Sequence, residues 1–258
     1  MSSDEPIPPS RPLALGSSIG SSFASILRTF GIGMDVPFPR GTPDSSPVTY
    51  TPHPMADQPA VSFNPWTKAE VLSIYQDLCR KLPAELASKI VEDAGLWEAR
   101  SCFCESNGGR TSEFVGRCPR FISNSSMPIL YSREIDGSLQ NPLRRIIVKT
   151  ISKDQGWSSY PADWGTHNNS WTWFDITLER RVEENEGNKW TEIVRRKLWS
   201  NVHASRGMMA HVTSLERGEE IVDMAMKGDR ICIWACARFP GWRCEIERVD
   251  LWLFNAVH

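Results

Sequence analysis

The chain has 258 residues, 40% of them hydrophobic and 23% charged, with a formal net charge of -2 and a pI near 6.2. That is the composition of an ordinary soluble globular protein, long enough to bury a sizeable core. It supplies no basic field to hold a phosphate backbone and no apolar run long enough to cross a bilayer, so neither nucleic acid nor membrane is expected as a partner.

Residues 1–64 hold most of the 18 prolines, many serines and no sustained periodicity. Such a segment buries too little apolar surface to offset the entropy of ordering, and it reads as a disordered tail that folding does not need. One patch interrupts it, SSFASILRTFGIGM, where Phe23, Ile26, Leu27 and Phe30 fall at helical spacing. The opening MSSDEPIPPSRP lacks the basic start and apolar stretch of a secretory signal. Cys79, Cys102, Cys104, Cys118, Cys232, Cys236 and Cys244 are odd in number and irregular in spacing. Free thiols in a reducing compartment, cytoplasmic or nuclear, are the expectation. The Asn-x-Ser matches at Asn124 and Asn168 carry no meaning there.

At Pro65 the character changes, and residues 65–99 read as a helical hairpin. In PWTKAEVLSIYQDLCRKL, Thr67 is placed to cap a helix and Glu70 to close a capping box, with Val71, Ile74 and Leu78 on one stripe. After Pro83 a second helix is expected, with Leu86, Ile90, Ala94 and Trp97 on its stripe and Gly95 near its end. Leu82, Pro83, Glu85, Leu86 and Ile90 match the opening of an F-box, and LPAELASKIVEDAGLW resembles that docking module of ubiquitin-ligase adaptors. The resemblance covers about ten residues; a ligase scaffold bound through residues 66–98 is what it implies.

Residues 100–258 read as β-structure. Two strand candidates, SEFVGR and MPILYSR, come first. RRIIVKTIS then alternates Ile146, Val148 and Thr150 against Ile147, Lys149 and Ile151. SWTWFDITLERRV sets Thr172, Phe174, Ile176 and Leu178 against Trp171, Trp173, Asp175 and Thr177. EENEGN turns the chain into KWTEIVRRKLWSN, and MMAHVTSLE, RICIWACARF and RCEIERVDLWLFNA complete the series. Short strands separated by turn signals, with no helix among them, predict an antiparallel β-sandwich, a jelly roll of the galactose-binding type. The continuous apolarity from Ile231 to Ala237 predicts a central, buried strand.

DQGWSSYP, SWTWF, Gly228 to Ile231 and Phe239 to Trp242 are strings shared with a group of fungal proteins of no established activity, which residues 144–258 resemble. More distantly, a helical hairpin followed by a sandwich is similar to F-box proteins whose associated domain binds glycans or denatured glycoproteins.

The chemistry concentrates in the long loop between the strands of Ile146 and Phe174, which carries Asp154, Gln155, Trp157, Tyr160, Asp163, Trp164, His167 and Asn168 and runs into Trp171 and Trp173. Flat aromatic faces beside directional hydrogen-bonding groups suit a sugar ring or a peptide. A binding site of Asp154, Gln155, Trp157, Tyr160, Trp164, His167 and Trp171 is therefore expected, in a non-enzymatic recognition module for a peptide, protein or glycan. The competing expectation is a hydrolase using Asp154, Asp163 and His167, which needs those groups to converge. Cys102, Cys104 and Cys118 lack zinc-knuckle spacing and a nearby histidine, and no glycine-rich phosphate loop occurs, so no metal or cofactor is expected.

Overall fold

The computed structural model describes residues 66–108, 118–137, 139–184 and 187–257. The expected tail, its amphipathic patch and the strand candidate SEFVGR lie outside the described residues. Helix α1 (Lys68–Cys79) begins as its sequence demands. Thr67 Oγ1 accepts from the Glu70 N–H, and the Glu70 carboxylate accepts from the Thr67 N–H at 2.7 Å. It buries Val71 and Leu78. Helix α2 (Ala84–Asp93) corrects the expected stripe: Ala87 and Val91 turn inward, while Leu86 stands exposed. The helix ends before Gly95, whose φ of 66° reverses the chain, so Trp97 lies beyond it under the Arg145 guanidinium. The pair is tied to the β-structure by the Ala99 N–H donating to Trp66 O and by the Arg144–Glu92 ion pair.

Among the described residues nine strands follow: β1 (Glu98–Glu105), β2 (Phe121–Ser123), β3 (Ser125–Tyr131), β4 (Leu143–Lys153), β5 (Thr172–Glu184), β6 (Gly187–Ser200), β7 (Met209–Glu216), β8 (Arg230–Ala237) and β9 (Arg243–Asn255). A one-turn helix, α3 (Glu220–Asp223), stands before β8, in a stretch where no helix is expected from sequence. One sheet has the order β1-β9-β4-β7, with β2 also paired to β9; the other has the order β3-β8-β5-β6. Every pairing between these strands is antiparallel. Beyond the β5–β6 hairpin and the short β2, successive strands alternate between sheets, which is the strand order of a jelly roll. The expected antiparallel β-sandwich is therefore the observed fold.

Between the sheets lie Phe174, Ile176 and Leu178 of β5, Ile231, Ile233 and Ala235 of β8, Ile146 and Val148 of β4, and Val249 and Leu251 of β9, all buried. Strand β8 is central, flanked by β3 and β5. It is buried on both faces because Cys232 and Cys236 fill its outer side. Strand β1 is not among the sequence expectations. Its inward residues are Cys102 and Cys104, small hydrophobes in a stretch that otherwise reads as polar. All seven cysteines are free thiols, and five of them are buried.

The outer face of the four-stranded sheet is closed by stacking. The Arg195 guanidinium lies 4.4 Å from the Trp234 ring, whose Nε1 donates to Thr177 Oγ1. Arg230 sits between Tyr131 and Trp190, 4.2 and 4.1 Å from their rings, and pairs with Glu179. These aromatic faces are covered by their own cations.

Candidate functional site

Strand alternation brings the connections after β2, β4, β6 and β8 to one end of the sandwich, and hydrogen bonds join them there. The Gly165 N–H donates to His203 O at 2.9 Å and the His203 N–H to Thr166 O at 2.7 Å, so the long β4–β5 loop is paired to the β6–β7 connection. The Arg238 N–H donates to Trp171 O, and the Ser123 hydroxyl to Trp242 O. The Arg243 N–H reaches Gln155 Oε1 at 3.3 Å. Four connections distant in sequence thus form one surface.

Asp154 anchors this assembly. It is fully buried, with Oδ1 accepting from the Gly156 N–H at 2.8 Å and Oδ2 from the Ala204 N–H at 2.7 Å. Burial pushes its pKa up, and the backbone N–H groups of Gly156, Ala204 and Ser205 partly offset that. Gly156 is required beside it: φ is 81°, and a Cβ there would stand 3.2 Å from the Ser205 carbonyl oxygen. Below, buried Asn201 accepts from Ser152 Oγ and donates to Thr172 Oγ1, joining the end of β4 to the start of β5.

Above this floor the aromatic side chains face solvent. Trp157 is 63% exposed, Tyr160 65% and Trp164 50%. Trp164 keeps one tether, Nε1 donating to Ser158 O at 3.2 Å. Gln155 Nε2 donates to Trp157 O. Trp171, at the rim, meets Phe239 edge to face with ring centroids 5.0 Å apart. The His167 ring, half-buried, has Nδ1 2.7 Å from Ser200 O.

Two sequence expectations change. Asp154 is not a ligand contact: a residue with no exposed surface and both oxygens on backbone donors positions the loop. The hydrolase arrangement loses its first carboxylate for the same reason, and Asp163 Oδ2 is held by Asn169 Nδ2 at 2.8 Å. Trp173 is half-buried, with the Lys197 ammonium 5.5 Å from its ring. The remaining expected residues, Gln155, Trp157, Tyr160, Trp164, His167 and Trp171, do share the loop end. No group of three His, Cys, Asp or Glu among the described residues is arranged to hold a metal ion.

Sequence reasoning overlooked Phe239 and Phe121, both exposed beside the loop. The signal was present: Phe239-Pro240-Gly241-Trp242 has proline and glycine at the positions a type II turn calls for, and Gly241 has φ of 90°. Phe239 itself has φ of 74°, a left-handed setting that a bulky residue rarely takes. That strain is held where the ring meets Trp171.

The floor also makes the fold acid-sensitive. His211 of β7 is buried, its ring stacked on Trp199 and edge-on to His167 at 6.0 Å. Burial, with His167 beside it, lowers its pKa from 6.5 to about 4. A folded pKa below the unfolded one means that the stabilisation is complete above pH 6.5 and is lost as the pH falls towards 4, to a total of about 3 kcal/mol. Asp154, with its pKa raised above 3.8, acts in the opposite sense, since its contribution is lost as the pH rises through the folded value. Urea unfolding followed between pH 7 and 4 should show the His211 loss, and His211→Gln should flatten it.

No protein-family model and no curated protein matches the chain. Solved structures that it resembles include the CBM22-1 and GH10 modules of the Clostridium thermocellum endo-1,4-β-D-xylanase 10B complexed with xylohexaose. That match has 12% identity and a TM-score of 0.25, and covers 61% of this chain but 24% of the xylanase chain. Another is the xylan-binding module CBM15, at 10% identity and a TM-score of 0.26, covering 61% of this chain and 92% of that one. The Tobacco streak virus coat protein matches at 11% identity and a TM-score of 0.19, over 62% of this chain and 86% of the coat protein.

Proposed function

We propose that this chain is a non-enzymatic recognition module whose loop end binds a glycan. The observation that carries the reading is the gathering of Trp157, Tyr160, Trp164, Trp171 and Phe239, exposed, on connections braced from below by buried Asp154 and Asn201. Exposed rings of this size are costly to leave in water, and a rigid floor holds them without requiring a ligand to order them first. Asn168 and Asn169, exposed on the same loop, offer uncharged amide groups, the donors and acceptors that sugar hydroxyls need. With Asp154 committed to backbone N–H groups, the loop lacks the free carboxylate pair of a glycosidase.

The test is a glycan array and a peptide array probed with the full chain, followed by titration of the best hit against Trp157→Ala. Loss of that ring should weaken binding by about 1–3 kcal/mol and leave the unfolding midpoint almost unchanged, since the side chain covers little of the core. Peptide hits without glycan hits would sink the glycan reading. So would a Trp157→Ala protein that binds the best glycan at full strength.

A further inference from the structure

The arginines of this molecule are mostly spent in pairs. Arg100, Arg144, Arg145, Arg180, Arg181, Arg195, Arg196, Arg217, Arg230 and Arg248 each meet a carboxylate. Arg120, Arg206 and Arg238 make no ion pair among the described residues, and Arg206 and Arg238 stand on connections of the loop end. Arg238 follows β8, its backbone joined to Trp171 and its guanidinium 5.4 Å from the Phe239 ring. Arg206 lies beside Gly156, the residue before Trp157, its Cα 4.0 Å from where a Cβ on that glycine would stand. Arg120 precedes Phe121, and the Arg243 guanidinium lies 5.3 Å from the Phe121 ring.

The carboxylates at this end have other partners. Asp154 is buried, Asp163 is held by Asn169, and Glu245 is shared between Lys153 and Arg243. In a chain of net charge -2, unpaired guanidiniums therefore collect where the aromatic faces are exposed. A guanidinium is a planar fork that fits a carboxylate or a sulfate through two parallel N–H···O bonds.

We infer that the ligand is an anionic polysaccharide, its sugar rings laid on the aromatic faces and its acid groups paired with Arg206 and Arg238. The inference rests on the glycan reading above and adds the charge of the sugar. Phosphate-bearing chains are the less favoured anions, because three arginines on separate connections form no continuous track along a backbone.

Calorimetric titration of the full chain with four hexamers tests it: an oligogalacturonate, a sulfated heparin-type oligosaccharide, neutral xylohexaose and a single-stranded RNA. The acidic sugars should bind at least about tenfold more tightly than xylohexaose at low salt, with the gap narrowing as salt is raised. The carboxylate and sulfate arms identify which acid is preferred. Arg206→Gln and Arg238→Gln should each weaken the acidic sugars about fivefold, the worth of one exposed charge-assisted pair, and narrow the acid-over-neutral ratio. Xylohexaose binding as tightly as the acidic sugars, without salt dependence, would overturn the inference and leave the glycan reading standing. RNA binding more tightly than any sugar would overturn the inference, and silence from all three sugars would remove the glycan reading with it.

Discussion

Replacing Ile233 with Asp should leave no cooperatively folded protein. The side chain is fully buried in the middle of β8, itself the interior strand between β3 and β5, in register with Leu130 and Ile176, and belongs to the apolar layer between the sheets. A carboxylate there has no cation to meet. It must either stay charged in an apolar core or remain protonated, and the cost of either is several kcal/mol, on the order of half the stability of a typical domain. Ile233→Val removes one methylene from the same place and should cost about 1 kcal/mol. The two together separate a packing effect from a charge effect. Circular dichroism and urea titration read both, and a soluble Ile233→Asp protein with a sharp unfolding transition would mean that β8 does not occupy the core.

The second large effect is expected at Asp154, where the loss should fall on stability and binding together. Asp154→Ala leaves the part-buried Gly156 and Ala204 N–H groups without their acceptor, each at up to about 1–3 kcal/mol. Some of that is returned because the buried charge, itself a cost, has gone. A net destabilisation of about 2–4 kcal/mol follows, with glycan affinity falling more than it does for any single exposed ring, since the whole β4–β5 loop loses its registration on the β6–β7 connection. Asp154→Asn keeps the shape and one acceptor, and should sit between the two. Wild-type affinity and stability in Asp154→Ala would show that the loop is held by the backbone pairing of Gly165 and Thr166 with His203 alone.

Much of this architecture is legible in the residue pattern, and the exceptions have physical reasons. Alternation finds β4, β5 and β9, because a strand with one face in a core must repeat with a period of two, and β8 shows instead as the unbroken apolar run of a strand buried on both faces. It passes over β1, whose inward positions are cysteines and whose outward positions are Ser101 and Phe103. In α2 the stripe is off by one residue: Leu86 and Ala87 are neighbours in sequence about 100° apart around the axis, and composition does not say that the smaller of them goes inside. The loop 154–171 stands out by its aromatic density. Asp154 reads as a ligand contact because one sequence does not distinguish a carboxylate that meets a ligand from one that accepts two backbone N–H groups. The partners it needs, at residues 203–205, lie fifty positions away. Arg206 and Arg238 are equally silent in sequence, since what marks them is the absence of a nearby acid in three dimensions.

The free thiols of the sandwich have a use that is independent of any ligand. Cys236 and Cys244 have pKa values pushed up to about 12 by burial, burial raises that of Cys232 too, and Cys104 is raised by its hydrogen bond to Cys118 and by burial. Only a thiolate attacks an alkylating reagent, so at neutral pH these positions should stay unmodified until a fluctuation uncovers them. Cys79 at the end of α1 and Cys118 before β2 are half-exposed and should react first. Cys104 tags the first sheet through β1, Cys232 and Cys236 tag the second through β8, and Cys244 tags the start of β9 beneath the loop end. The time each one takes to be alkylated is then a clock on its own layer, and their order would tell which part of the jelly roll opens before the rest.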